Sequence, residues 1–349
     1  MTVAIFAGLG LIILAGMLMG CSILPMKYCT RWKWENVWLA FTCLAQTVFP
    51  LLVLLATVPR PWQVYSAAKM SALVSALLLG FGWGIGNTLS GIGYTMLGVG
   101  LGTSVVLGMT ASLGSLLPLA ILFPGRLRSS SMLLLYVGVI VMLAGLSITA
   151  QAGRWRQRGR PKSEITVEAD IQSFGRGDIR IGLLVCIISG VLSSMLNLAL
   201  VFGDGIRLSA LKAGASDFAA VNALWLPVEA AGFLATFVYC SYLLTRSNNW
   251  SLYFSKGSGS HWLIAAVMAA FFITGLSIYG IGAARLGEMG AILGFPVFMS
   301  TIVLTGNIAG LVTGEWRQSP RIAYLYGVLG LAVLILAIVC IGLGRARLS

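Results

Sequence analysis

The chain has 349 residues, of which 58% are hydrophobic and only 9% charged, with a formal net charge of +13. Soluble domains carry roughly 25% charged residues, so this composition excludes a soluble enzyme or binding module and indicates an all-α integral membrane protein. The basic residues sit in loops rather than in an aromatic-interleaved patch, which argues against nucleic acid as a partner, and six scattered cysteines with one histidine suggest neither a disulfide framework nor a metal site.

A membrane-spanning helix needs about 20 mostly apolar residues. Ten such stretches are expected, at 4–24, 35–58, 71–96, 99–122, 131–150, 181–202, 218–244, 262–284, 287–312 and 322–343. The first has its charges after it rather than before it, so it reads as a retained helix and not a signal peptide. Within it, Gly16-x-x-x-Gly20 is the small-residue spacing that lets two helix backbones approach.

The next stretch, PMKYCTRWKWENVW at 25–38, surrounds Lys27, Arg31, Lys33 and Glu35 with aromatic rings. The plainer reading is an interfacial anchor with snorkelling basic residues; the sharper one is a gate in which Lys27 pairs with Glu35. Span 2 then places Thr42, Gln46 and Pro50 at helical spacing.

Span 3 and the turn after it read WGIGNTLSGIGYTMLGVGLG from Trp83 to Gly102. Trp83, Asn87, Ser90 and Tyr94 share one face, because residues three, four and seven apart stack along a helix. An anchor helix has no need of that face. Asn87 and Tyr94 are therefore candidate ligand contacts together with Trp83.

Spans 4 and 5 offer little beyond Pro118, and the longest connection, 151–180, follows them. It carries Arg154, Arg156, Arg158, Arg160 and Lys162, then Glu164, Glu168 and Asp170, and reads as a solvated cytoplasmic linker between two five-helix halves, 1–150 and 181–349. Span 6 has Ser189, Ser193 and Asn197 as a polar stripe. The serines suit interhelical hydrogen bonds, whereas Asn197, like Gln46, can meet a ligand as donor and acceptor.

Span 7 holds Glu229 near its middle, on a face with Asn222 and Trp225 and beside Pro227. An ionisable group at that depth costs about 2.5–3.5 kcal/mol on insertion scales and is functional by default. It is read as a proton-coupling carboxyl; the competing reading is a structural Glu hydrogen-bonded between helices. In span 8, Ser277 and Tyr279 are weaker candidates, and His261 reads as interfacial.

Sliding the chain by 189 residues sets Gly86, Gly91, Ile92, Gly93, Leu97 and Gly98 on Gly275, Gly280, Ile281, Gly282, Leu286 and Gly287. Both copies lie at a tight junction, between spans 3 and 4 and between spans 8 and 9. With five spans per half, the halves enter the membrane from opposite sides, an inverted repeat of the kind transporters carry. By alternate loops, the face with the linker holds 14 Lys and Arg against 9 on the face with both termini. The positive-inside rule then puts the termini in the periplasm.

Amides, hydroxyls and aromatic faces suit an uncharged polyhydroxylated ligand, since they bond sugar hydroxyls in both senses and cover apolar ring faces. No nucleotide-binding loop, zinc-protease motif or nucleophile elbow is present, so no enzyme is expected.

The first-loop motif, WGIGN at 83–87 with the GIGYTMLGVGLGTSVVLG that follows, and GEW at 314–316 together resemble the L-rhamnose/proton symporter family of the drug/metabolite transporter superfamily. The resemblance runs through both halves. It implies ten helices in two inverted repeats, a bacterial inner-membrane location, and proton-coupled sugar uptake by alternating access, with protons as coupling ion and no cofactor. The other readings open at this point are a metabolite or drug exporter of the same superfamily and a non-transporting membrane sensor or scaffold.

Overall fold

In the computed structural model, residues 2–129, 132–158, 179–314, 316–317 and 319–347 are described. Ten helices long and apolar enough to cross a membrane follow one another, and among the described residues there is no strand. They are α1 (Thr2–Cys21), α2 (Trp34–Thr57), α3 (Met70–Leu97), α4 (Val99–Leu122), α5 (Leu133–Arg158), α6 (Ile179–Lys212), α7 (Asp217–Arg246), α8 (Gly259–Arg285), α9 (Gly290–Val312) and α10 (Arg321–Arg347). In hydrocarbon, a helix satisfies its own backbone polar groups, which is why every span takes this form.

Two helices run past the expected ends. The helix expected to stop at 150 continues to Arg158, where Ala152 joins Trp316 and Ala323 in a small cluster and the Arg156 guanidinium lies 5.7 Å from the Trp316 ring centroid. Basic residues favour the C-terminal end of a helix dipole. Most of the expected linker, 159–178, lies outside the described residues. Helix α6 bends at Ser194 and at Gly203 and continues as Asp204–Lys212, capped internally by the Asp204–Arg207 ion pair.

Glycines set the closest helix approaches. On α1, a Cβ at Gly16 would lie 2.6 Å from Thr301 Cβ and one at Gly20 2.7 Å from the Ile302 carbonyl oxygen, so this spacing seats α1 on α9. Gly98 and Gly287, aligned by the 189-residue shift, both have left-handed backbone (φ +80 and +77) and make the α3–α4 and α8–α9 turns. Only glycine takes that conformation without strain.

Helix neighbours follow the same correspondence: α1 packs on α8 and α9, and α6 on α3 and α4; α2 packs on α8, and α7 on α3; α4 meets α9, and α5 meets α10. Exchanging each helix for the one five places away carries these packings into themselves. Gly86 of α3 abuts Leu192 and Ser193 of α6, while its counterpart Gly275 of α8 abuts Ala15 and Met19 of α1.

Candidate functional site

Helices α3 and α7 cross almost backbone to backbone in the middle of the bundle. A Cβ at Gly80 would lie 2.2 Å from the Val228 carbonyl oxygen and one at Gly84 only 2.1 Å from that of Gly232. Trp83 lies over Gly232, whose hypothetical Cβ would sit 2.7 Å from the indole. Its ring is thus held by packing and only 7% exposed.

Beside this crossing is Glu229, 0% exposed, with neither carboxyl oxygen bonded among the described residues. Trp225, one turn earlier on the same face, is also 0% exposed; it presses on Gly280 of α8, and its indole N–H has no acceptor among the described residues. Asn222 is engaged: Nδ2 donates to Phe218 O at 2.8 Å and Oδ1 accepts from Ser277 at 2.7 Å, which ties α7 to α8.

Gln46 sits midway along α2 in a wider π turn, Leu44–Val48, where Phe49 N–H reaches back to Leu44 O. The cause is Pro50. It has no N–H for the carbonyl of Gln46, and its ring crowds that carbonyl in regular α-helix. The widened turn packs against both α7 and α8. Gln46 is 2% exposed and its Oε1 has no partner. Single π turns of this kind recur at functional sites.

On the face of α3 singled out by the sequence, the residues divide. Ser90 donates to the Asn87 carbonyl at 2.6 Å, and the Tyr94 ring packs on Gly102. Asn87 is half-buried with its side-chain amide in no hydrogen bond, and one turn on, a Cβ at Gly91 would meet nothing within 4 Å. Asn87 is thus the half-buried, unbonded amide of this face among the described residues, while Trp83 and Tyr94 are packed.

Asn197 is placed elsewhere. Its Nδ2 donates to Gly114 O (2.7 Å) and Ala291 O (3.1 Å), and its Oδ1 accepts from Tyr279 at 2.5 Å. Tyr279 stacks on Phe298 at 4.4 Å, and Ser115 donates to Ile292 O at 2.5 Å. In this conformation the amide expected to meet a ligand instead fastens α4, α6, α8 and α9 together. Ser189 donates to Gly86 O across α3 and α6, the interhelical role expected of it.

Lys27 and Glu35 are not paired. Lys27 lies over the Tyr28 ring, while Glu35, in the first turn of α2 where the helix dipole favours an acid, accepts from Asn249 Nδ2 at 2.8 Å. That bond belongs to a clasp between the α1–α2 and α7–α8 loops, which the sequence reading missed. Trp32 Nε1 donates to Leu252 O (3.0 Å), Asn36 Nδ2 to Asn249 O (3.0 Å), and Tyr253 to Asn36 O (3.0 Å). Burial holds the Tyr253 hydroxyl above the usual phenol range, so it stays a donor. His261, at the start of α8, is 5% exposed, lies by Trp32, and its Nε2 accepts from the Arg31 backbone N–H at 3.3 Å. The aromatic residues of 25–38 were the available signal, but their partners lie more than 200 residues away.

A cavity of about 730 Å³ opens at the other membrane face, between residues 61–69, the start of α3 and the Asp204–Lys212 segment of α6. It lies away from Glu229 and Asn87. Among the described residues no group of three or more His, Cys, Asp or Glu could hold a metal.

The sequence is similar throughout its length to known transporters. The L-rhamnose-proton symporter of Citrobacter koseri is 26% identical over 333 residues, covering 93% of this chain and 94% of the relative. Those of Salmonella paratyphi A and Salmonella newport are each 25% identical with the same coverage. The sequence model of the family described as L-rhamnose-proton symport protein (RhaT) matches residues 1–347, and the chain belongs to that family of transporters.

Proposed function

We propose that this protein imports L-rhamnose or a closely related sugar with a proton, by alternating access, across a bacterial inner membrane, without a cofactor. The observation that carries the reading is Glu229. It is wholly buried, unpartnered among the described residues, and sits in the middle of the bundle of a chain whose relatives are named proton symporters. A carboxyl there gains and loses a proton as the site changes access. Asn87 of α3, half-buried and with its amide unbonded among the described residues, offers the donor and acceptor pair that a sugar hydroxyl takes. Trp83, Tyr94, Asn222 and Trp225 build the walls of this region, Asn197 is an amide within reach of a rearranged path, and Gln46 is assigned to the proton side of the site rather than to the sugar. Lys27 and Glu35 flank the clasp and act as gate residues through it rather than as a pair.

The exchange symmetry of helix packings and the matched glycine turns support two inverted repeats, 1–150 and 181–349, joined by the cytoplasmic segment 151–180, as in the drug/metabolite transporter superfamily.

Proteoliposomes holding the full chain are expected to accumulate labelled L-rhamnose when an inward proton gradient is imposed, and to stop when it is collapsed. Gradient-independent equilibration, or no uptake across a panel of deoxy sugars, overturns the reading. Glu229→Gln is expected to abolish accumulation while retaining sugar counterflow; gradient-driven uptake at the wild-type level in that variant sinks the carboxyl assignment.

A further inference from the structure

A buried carboxyl has opposite needs in its two protonation states. The ionised form requires donors, whereas the neutral acid requires an acceptor for its O–H and leaves a buried polar group unsatisfied without one. Glu229 has neither among the described residues. An amide is the side chain that meets both needs, because it carries N–H donors and a carbonyl acceptor together.

Of the unbonded amides on helices packed against α7, Asn87 of α3 is half-buried, whereas Gln46 of α2 is 2% exposed and its oxygen is buried without a partner among the described residues. Asn222 of α7 itself is already bonded to Ser277 and Phe218. Charged side chains on the packed elements sit toward helix ends: Glu35 on α2, Lys69 before α3, Asp204, Arg207 and Lys212 on α6, and Arg285 on α8. Of the other titratable groups, His261 begins α8 and is bound to the Arg31 backbone, Tyr279 is bound to Asn197, and Cys43 of α2 lies against Thr47. None offers Glu229 a compensating charge.

The turn that carries Gln46 packs directly against α7, the helix of Glu229. We propose that Gln46 is the positioning residue of the proton site: its amide N–H donates to Glu229 when the carboxyl is ionised and its Oε1 accepts from the carboxyl O–H when it is protonated, the side chain reorienting on the Leu44–Val48 turn between the two. The inference rests on Glu229 being the proton carrier.

The test uses the full chain in proteoliposomes and reads two quantities: external alkalinisation on adding L-rhamnose, which reports protons carried with sugar, and counterflow of labelled L-rhamnose, which needs no net proton movement. Gln46→Met, close in volume but unable to bond in either sense, is expected to keep counterflow within about two-fold while sugar-driven proton uptake falls by about ten-fold, the effect of losing one hydrogen bond to a charged group. Gln46→Asn is expected to restore part of the proton uptake. Unchanged proton uptake in Gln46→Met overturns the proposal, as does an equal loss of both readouts that Gln46→Asn does not relieve. Glu229→Gln is run beside them: if it retains wild-type proton uptake, the carrier assignment fails, whereas loss in Glu229→Gln with full coupling in Gln46→Met removes Gln46 alone.

Discussion

Among single residues, Asn87 and Asn197 show how the same side chain takes different work from its neighbours. Both are amides on apolar helices, and both looked suited to a sugar. Asn197 has three of its bonding positions filled by Gly114, Ala291 and Tyr279, so removing its amide breaks a helix junction. Asn87 is half-buried and its amide is unbonded among the described residues. Asn87→Ala is therefore expected to raise the KM for L-rhamnose by about ten-fold, one to two lost hydrogen bonds, with thermal stability unchanged. An unaltered KM, measured with gradient-driven uptake, returns that face to packing. Asn197→Ala is expected instead to lower the melting temperature in detergent, since it leaves the Tyr279 hydroxyl and two carbonyls unsatisfied. Glu229 was legible in the sequence because a lone acid in an apolar span has no cheap explanation. The engagement of Asn197 was not, because its acceptors are backbone carbonyls of two helices far away in the chain, and backbone atoms leave no residue-type signal.

At the scale of the helix, glycine spacing in α3 was readable as packing, but not which glycine meets which partner. Gly80 and Gly84 hold the α7 crossing, Gly86 and Gly93 the α6 contact, and Gly91 touches nothing. Gly84→Ala places a methyl group 2.1 Å from a carbonyl oxygen that cannot yield without parting α3 from α7. Overpacking of this kind costs roughly 1–3 kcal/mol or more, and the variant is expected to melt well below the wild type or fail to accumulate in the membrane. Gly91→Ala is expected to fold normally, its methyl group entering open space. Equal thermal stability of the two variants, followed by size-exclusion fluorescence on heating, contradicts the crossing. Pro50 announced an interruption of α2, but its form was hidden: a proline is compatible with a kink, a break or a widened turn, and the neighbouring helices decide among them. The extension of α5 to Arg158 was missed for a related reason, since five basic residues in alternate positions read equally as a solvated loop and as a charged helix end.

For the whole molecule, the two sets of polar contacts fasten opposite ends of α8. His261 and Trp262 at its start join the clasp formed by the α1–α2 and α7–α8 loops, while Tyr279 near its end joins the junction of α4, α6 and α9. Helix rise gives about 27 Å between those levels, close to the thickness of the hydrocarbon core, so the two fastenings sit at opposite membrane levels and both are made here. Alternating access requires them to open in turn, and which faces the cytoplasm decides what a periplasmic sugar meets first. The loops on the clasp side hold 14 of the Lys and Arg residues against 9 on the other; on the positive-inside rule we propose that the clasp and the segment 151–180 face the cytoplasm and the termini, with the 730 Å³ cavity, the periplasm. Two exposed lysines mark the faces: Lys212 at the cavity and Lys256 in the clasp loop, whose side chains bear no ion pair among the described residues. In intact cells, a membrane-impermeant maleimide is expected to label Lys212→Cys over the wild-type background and to leave Lys256→Cys unlabelled until the cells are opened. The reverse pattern inverts the orientation, and would make the clasp, rather than the Asn197–Tyr279 junction, the first barrier to an entering sugar.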